Sequence, residues 1–249
     1  MKKIVFFLLL SVTLLGCKDE TECCANPTTD IVLKFSHHWD GVPLSNLDFN
    51  EFKFTTENGE EISIERYRYV ISNINIIGSK NHFLIDLASN SETEISITEL
   101  LKGTTNLNFT FGFSDDDNVD GIYQDLNSAS FNVPAMLGGG YHYMQFDGKY
   151  KDTNNQDANF NYHAIRAVDR SDPNNLVFED TSFEVDLGTV QIGNNTVIEI
   201  NVNIAEWFKN PTTWNLNELN TVLMPNFEAQ KIMSANGKNV FSLGNLTSN

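Results

Sequence analysis

Alternating hydrophobic and polar residues run through most of this sequence. In the segment "TNLNFTFGFS" (105–114), Leu107, Phe109, Phe111 and Phe113 occupy every second position. A period of two places these side chains on one face of a β-strand, where they can be buried together. Similar short segments, separated by turns rich in Asn, Asp and Gly, include "DIVLKFS", "ISIERYRYVIS", "EISITEL", "YHYMQFDGKY", "NFNYHAI" and "TVIEINVNI". Short strands at this spacing predict an antiparallel sandwich or barrel, and the all-β, antiparallel β-sandwich is the fold class we expect.

Helical patterns occur only towards the C-terminus. The segment "IAEWFKN" ends before Pro211. The segment "NFEAQKIMSANG" begins with Asn226, a good N-cap residue, and reaches Gly237, which favours a helix end. We therefore expect short C-terminal helices beside the sandwich.

The charge of the chain narrows the range of partners. Its 249 residues include 33 acidic and 16 basic ones, for a net charge of −17. Nucleic-acid binding calls for a basic patch, so we expect no nucleic-acid partner. An acidic surface is compatible with an exposed soluble domain or with cation binding.

The N-terminus has the pattern of an export signal. Lys2 and Lys3 precede the apolar run "IVFFLLLSVTLL", which is too short to span a bilayer as a helix. The run leads into "LLGC", which resembles the lipoprotein processing site. We predict a lipoprotein signal peptide over residues 1–16 and a lipid anchor on Cys17. The alternative is an ordinary secretory signal in which Cys17 has no special role.

A polar segment follows Cys17. Its first residues, "KDETE", resemble the export tag of surface-displayed lipoproteins in Bacteroidetes-type bacteria. We predict a disordered tether over residues 17–30, a folded domain over residues 31–249, and an outer-membrane location that is exposed at the cell surface or otherwise faces the periplasm. Cys23 and Cys24 lie inside the tether, so we expect no disulfide in the folded domain.

Four blocks of sequence together resemble a known family. They are "LKFSHHWDGVPL", "ISIERYRYVISNINI", "GGGYHYMQFDGKY" with "NFNYHAI" after it, and "MPNFEAQKIMSANGKNVF". These blocks run from about residue 31 to residue 241 and are similar to the MbnP-like proteins, a copper-associated family named for a partner of the copper chelator methanobactin.

The resemblance implies an extracytoplasmic β-sandwich that binds copper, in copper acquisition or homeostasis, with a partner redox enzyme or copper carrier. Some relatives contain a tryptophan that a partner dihaem enzyme oxidises to kynurenine and that lies beside histidines at the metal. The tryptophan of those relatives precedes the glycine segment, where this chain has Phe131. Trp39 is the only tryptophan near a candidate histidine, so we do not expect a modified tryptophan here.

His142 and His163 are the leading candidates for copper ligands. They lie on consecutive predicted strands joined by the loop "KDTNNQDA", at similar distances from the loop centre near Asn154. In a hairpin the two residues would therefore face each other about 5 Å apart at Cβ, which suits two nitrogens on one metal. Three glycines precede His142, and glycine permits a bend or a close approach by other backbone. The alternative for each is a half-buried histidine hydrogen-bonded to backbone.

A third ligand could come from the first strand. The odd-numbered Ile31, Leu33 and Phe35 face inward, which places His37 on the core side and His38 outside. The resemblance favours His38, because the family histidine stands at the same spacing from the Asp-Gly turn. We take His38 as the third ligand, although alternation points to His37. His82 follows the predicted turn "GSKN" and is expected at the surface.

The acidic segment "DDDNVDGIYQDLN" (115–127) resembles a calcium-binding loop. Asp116, Asn118 and Asp120 with Gly121 reproduce its alternating oxygen ligands and sharp turn, and Asp125 could supply the last carboxylate. Calcium is therefore a second candidate cofactor. The alternative is an acidic turn held by its own Asx hydrogen bonds.

The sequence contains no signature of catalysis. It lacks GxSxG, HExxH, P-loop and dinucleotide-binding motifs, and the folded part has no cysteine ligand for a blue-copper centre. We therefore expect a binding protein and not an enzyme. A copper-binding lipoprotein is the first hypothesis, and an adhesion or glycan-binding sandwich without a metal site is the alternative.

Overall fold

The alternating segments form β-strands in the computed structural model, which describes residues 27–79, 82–172 and 174–248. The predicted signal peptide, Cys17 and most of the predicted tether (residues 17–26) lie outside the described residues. The first strand begins at Thr28, three residues before the predicted start of the domain, because Thr28 and Thr29 pair with Leu101 and Leu100.

The described residues form fourteen strands and two α-helices. In chain order they are β1 (Thr28–Trp39), β2 (Val42–Pro43), β3 (Phe54–Thr55), β4 (Glu61–Ser72), β5 (His82–Asp86), β6 (Glu94–Leu101), β7 (Gly103–Phe111), α1 (Gln124–Ser128), β8 (Met144–Lys151), β9 (Asp157–Ala164), β10 (Ala167–Asp169), β11 (Val177–Glu179), β12 (Phe183–Ile192), β13 (Thr196–Asn203), α2 (Phe227–Gly237) and β14 (Phe241–Thr247). Three short 3-10 helices cover Asn46–Asp48, Ala135–Leu137 and Ile204–Phe208.

Two sheets contain nearly all of these strands. The five-stranded sheet has the order β14-β13-β1-β2, with β6 also paired to β1. The seven-stranded sheet has the order β12-β7-β4-β8-β9, with β3 and β5 also paired to β4. A separate two-stranded hairpin joins β10 and β11. All pairs are antiparallel except β1 with β13, which is parallel and which the sequence pattern did not indicate.

Aromatic side chains fill the space between the two sheets. Phe35 on β1 meets Phe109 on β7 at 6.1 Å between ring centroids, in an edge-to-face geometry. Tyr67 and Tyr69 of β4 point into the same layer and are fully buried. These contacts place the inner faces of the sheets against each other and confirm the predicted β-sandwich.

The C-terminal helices also follow the sequence pattern. The Asn226 side chain accepts a hydrogen bond from the Ala229 amide at 3.1 Å, as an N-cap should, and α2 ends at Gly237. The segment "IAEWFKN" forms the 3-10 helix Ile204–Phe208. Within residues 27–79, 82–172 and 174–248, every helix is too short or too polar to cross a membrane.

Candidate functional site

The candidate site lies on the outer face of the seven-stranded sheet. Alternation along β8 turns Met144 and Phe146 into the core and Gln145 and Asp147 outward. On β9 the same alternation turns His163 outward, directly opposite Gln145. His142, two residues before β8, reaches the same face.

The structure brings His142 and His163 together, but not as the facing pair that the hairpin spacing predicted, because His163 pairs with Gln145 and His142 precedes β8. Their ring centroids are 5.3 Å apart and the rings are nearly perpendicular. His142 is buried, and His163 is partly buried. Two imidazoles at this separation can contribute nitrogens to one metal ion.

His142 is held by a single backbone carbonyl. Both its amide and its ring nitrogen Nδ1 donate to the Phe131 carbonyl, each at 2.9 Å. The other ring nitrogen, Nε2, is buried and has no hydrogen-bond partner. A buried nitrogen without a partner is costly unless something binds it, so this atom marks the position where a ligand would be accepted.

His163 is held by a carboxylate. Its Nε2 donates to Asp147 Oδ1 at 2.7 Å, and Asn161 Nδ2 donates to the same oxygen at 2.6 Å. Arg66 Nε binds the second oxygen of Asp147. A histidine that donates one ring N–H to a carboxylate keeps its other nitrogen available for a metal.

The pKa values at the site follow from burial and from these contacts. Burial lowers the pKa of His142 to about 4, more than the carbonyl contact raises it, so this ring is neutral at pH 7. Burial alone would raise the pKa of Asp147, but hydrogen bonds from His163 and Asn161 and the charge of Arg66 outweigh it and lower the pKa to about 2. A neutral imidazole and an ionised carboxylate are the forms that suit a cation.

A second arginine, Arg68, contacts Gln145 and Phe131 beside the histidine pair. Arg68 donates through Nε and Nη2 to Gln145 Oε1, at 2.8 and 2.6 Å, and its guanidinium lies 5.3 Å from the centre of the Phe131 ring. Phe131 in turn lies 5.6 Å from the His142 ring, so the residue at the position of the family tryptophan is a neighbour of the candidate ligand.

The three glycines before His142 have a steric reason. Gly138, Gly139 and Gly140 all have positive φ, at 109°, 68° and 76°. A Cβ on Gly139 would lie 2.6 Å from the Asp120 carboxylate, and one on Gly140 would lie 2.4 Å from the Asn118 side-chain oxygen. Only glycine allows this backbone to pass so close to the acidic segment.

The acidic segment holds the glycines through hydrogen bonds. Asp120 Oδ1 accepts from the Gly140 amide at 2.5 Å, and Asn118 Oδ1 accepts from the Tyr141 amide at 2.7 Å. Asp125 instead accepts from His82 Nε2 at 2.8 Å, and Asp116 lies at a small cavity of about 210 Å³ beside His82. The predicted calcium ligands are thus engaged separately, so the arrangement favours the acidic-turn alternative over a calcium loop.

The structure does not bring His38 to the histidine pair. It lies on β1, in the five-stranded sheet, on the outward face with Lys34 and Ser36, and its Nδ1 accepts a hydrogen bond from the Gly41 amide at 3.0 Å. The pair lies on the outer face of the opposite sheet, so the whole sandwich separates the two positions. The choice of His38 as third ligand therefore needs correction.

His37, the residue that alternation favoured for the inner face, is a core residue. Its Nε2 lies 3.2 Å from the Tyr69 hydroxyl, and its ring packs edge-on against Tyr67. Trp39, two residues further on, is also buried and stacks on Phe54 with 5.2 Å between centroids. Neither residue reaches the outer face where the pair lies.

His82 was expected at the surface, but it makes contacts with neighbouring side chains. It begins β5, forms the hydrogen bond with Asp125 and packs against Tyr123 with 4.4 Å between ring centroids. In the part of the chain that the structure describes, no cluster of three or more His, Cys, Asp and Glu side chains is arranged to hold a metal ion. The candidate centre therefore rests on two imidazoles.

Five residues at the site were missed in the sequence: Arg66, Arg68, Gln145, Asp147 and Asn161. Each alternates with a buried aromatic residue along its strand. A charged or amide side chain at every second position on three adjacent strands is the signal that would have found them.

The comparison with protein-family models agrees with the resemblance seen in the sequence. A search of the curated proteins found no match. Among solved structures, MbnP from Methylosinus trichosporium is similar over 77% of this chain and 80% of that one, with 10% sequence identity and a TM-score of 0.47. The sequence profile of the MbnP family matches residues 28–225, which is most of the chain. This protein therefore belongs to the MbnP family.

Proposed function

We propose that this protein binds copper through His142 and His163 and that it serves copper acquisition or homeostasis as an extracytoplasmic lipoprotein. The observation that carries this proposal is the buried Nε2 of His142, which has no hydrogen-bond partner and belongs to a ring next to that of His163. Membership of the MbnP family supports copper as the metal. Imidazole is also a ligand type that copper accepts.

The residues around the pair are suited to holding a metal in place. His142 is tied to the Phe131 carbonyl and His163 to the Asp147 carboxylate, so neither ring has to be ordered when a metal binds. When bound, copper would supply a soft cationic centre that accepts nitrogen donors. We propose a binding protein rather than an enzyme, since neither histidine is paired with a nucleophile or with a second acid.

The charges near the pair balance. Arg66 and Arg68 bring two positive charges to this face, and Asp147 and Asp86 bring two negative ones, with Asp86 directly opposite Arg68 in the pairing of β4 and β5. A metal ion would therefore meet no net repulsion from these side chains.

Copper uptake by purified protein tests the proposal. Metal-free wild type is mixed with copper(I) under reducing, oxygen-free conditions, unbound metal is removed, and the copper per chain is measured by mass spectrometry. We expect uptake by wild type and its loss in His142→Ala. His38→Ala is the matched control, because it removes an imidazole from the other sheet, and it should bind as wild type does.

Two outcomes would contradict the proposal. Wild type that takes up no copper would favour the adhesion or glycan-binding alternative. Equal uptake by wild type and by a His142→Ala variant with an unchanged circular dichroism spectrum would show that the copper lies elsewhere.

A further inference from the structure

We infer that Asp147 is a positioning residue that fixes His163 in the tautomer opposite to that of His142, so that the pair presents Nε2 of His142 and Nδ1 of His163. This inference deepens the proposed copper site and rests on it for its purpose. The tautomers themselves are properties of the metal-free protein, so they can be measured whether or not copper binds.

The partners of each ring decide where its proton lies. A backbone carbonyl can only accept, so Nδ1 of His142 must carry the proton that it donates to Phe131. An ionised carboxylate also only accepts, so Nε2 of His163 must carry the proton that it donates to Asp147. In the neutral rings this leaves the lone pairs on Nε2 of His142 and Nδ1 of His163.

Asp147 is itself held on both sides, which is what makes it able to orient a ring. Its Oδ1 accepts from Asn161 on β9 as well as from His163, and its Oδ2 is bound by Arg66 on β4. In the sheet, Asp147 is directly paired with Arg66 on one side and with Asn161 on the other. The carboxylate therefore cannot turn away without losing contacts to both neighbouring strands.

Loss of such a partner normally weakens metal binding. Carboxylates and carbonyls that hold a ligating histidine typically contribute about 10–100-fold to metal affinity. Both carboxylate oxygens of Asp147 already accept hydrogen bonds. We therefore expect Asp147 to act on affinity through the orientation of His163 rather than by binding the metal.

The first measurement uses metal-free protein labelled with nitrogen-15. Ring nitrogen shifts are recorded by NMR at a pH high enough that a further increase leaves the histidine signals unchanged. We expect His142 protonated at Nδ1 and His163 protonated at Nε2, each as a single form. In Asp147→Ala we expect the His163 signals to move towards a mixture of tautomers, while those of His142 stay as they are.

The second measurement is copper(I) affinity by competition with a chromophoric chelator. We expect Asp147→Ala to bind about 10–100-fold more weakly than wild type. Asp147→Asn keeps an acceptor oxygen and should recover part of that loss. Glu65→Gln is the matched control, because it removes an exposed carboxylate from β4 that pairs with Lys149, and it should leave the affinity unchanged.

The outcomes separate this inference from the proposed function. A His163 ring protonated at Nδ1 in wild type, or unchanged His163 signals in folded Asp147→Ala, would overturn the positioning role. If Asp147→Ala does not fold, Asp147→Asn tests the same point. Altered His163 signals in Asp147→Asn, together with a copper(I) affinity equal to that of wild type, would show that the orientation of His163 does not control binding. That result would overturn the positioning role. Wild type that shows both expected tautomers but binds no copper would overturn the proposed function and leave the tautomers established.

Discussion

At the scale of single residues, His37 and His38 show that a shift of one position along a strand decides whether a side chain lies in the core or at the surface. They are neighbours in sequence but lie on opposite faces of β1, so one is a core residue and the other faces outward. Burial, together with the charge of His38, lowers the pKa of His37 to about 3. The buried ring is therefore neutral, and its hydrogen bond to Tyr69 belongs to the core rather than to a metal site.

This depressed pKa makes stability depend on pH. In the unfolded chain His37 takes up a proton near its ordinary pKa of about 6.5, whereas in the folded protein it stays neutral, so acidification favours unfolding. The loss begins as the pH falls below about 6.5 and continues towards 3. We expect wild type to lose about 2 kcal/mol more than His37→Phe between about pH 7 and pH 5, measured by urea unfolding. Parallel pH curves for the two proteins would contradict this.

The histidine pair could be predicted from sequence, but its surroundings could not. Similar spacing from the hairpin loop placed His142 and His163 near each other, although the true register pairs His163 with Gln145 and leaves His142 just before β8. Asp147 and Arg66 lie on different strands, 81 residues apart, and their contact depends on the order of strands in the sheet. Alternation along β1 correctly placed His37 on the inner face and His38 on the outer face, but neither histidine reaches the pair, so both arguments for a third ligand on β1 were wrong.

At the scale of elements, the glycine segment and the acidic segment form one unit. Asn118 and Asp120 bind the backbone of Tyr141 and Gly140, and this backbone leads directly into His142. The acidic residues therefore fix the approach of the chain to the candidate site. Their pattern resembled a calcium loop because both uses require oxygen atoms at alternate positions beside a glycine.

A pair of glycine variants separates backbone strain from close packing in this unit. Gly140 and Gly121 have nearly the same φ, 76° and 75°, but a Cβ on Gly121 would meet nothing within 4 Å. Gly121→Ala should lose about 1–2 kcal/mol from backbone strain alone. Gly140→Ala should lose about 1–3 kcal/mol more, because its Cβ would overlap Asn118. Urea unfolding of both variants measures the difference, and equal losses would show that the contact with Asn118 is not constraining.

The strands and helices were predicted better than their arrangement. Period-two alternation identified β7, and the capping residue Asn226 identified the start of α2, because both signals are local. The parallel pairing of β1 with β13 joins residues more than 160 positions apart, and no local pattern records it. The short helix α1 was also missed, since its five residues lie inside the acidic segment.

At the scale of the whole molecule, the proposed lipid anchor determines where the domain works. Removal of residues 1–16 would take away two lysines, leaving 14 basic and 33 acidic residues and a net charge of −19. Such a domain gains nothing from an anionic membrane surface, so attachment would depend on the acyl chains of Cys17. In the proposed role in copper acquisition, this attachment would keep a surface-exposed domain with the cell.

Substitution of the anchor residue tests this directly. We expect wild type to fractionate with the outer membrane of its native host and Cys17→Ala to leave that fraction, since several acyl chains hold a protein firmly and none remains in the variant. Surface proteolysis of intact cells then reports the side of the membrane, and we expect the domain to be cleaved. Membrane-bound Cys17→Ala would overturn the anchor, and a protease-resistant domain on intact wild-type cells would overturn its surface exposure.

The position of β1 has a mechanical consequence for a domain held at its N-terminal end. β1 lies between β13 on one side and β6 and β2 on the other, and its pairing with β13 alone runs from Ile31 to His38. A pull on the preceding chain would act along the strand axis, so these bonds would be loaded in shear and would have to break together. An edge strand pulled across its axis would instead peel away one bond at a time. Attachment through β1 would thus let the domain bear drag at the cell surface without opening from its tethered end.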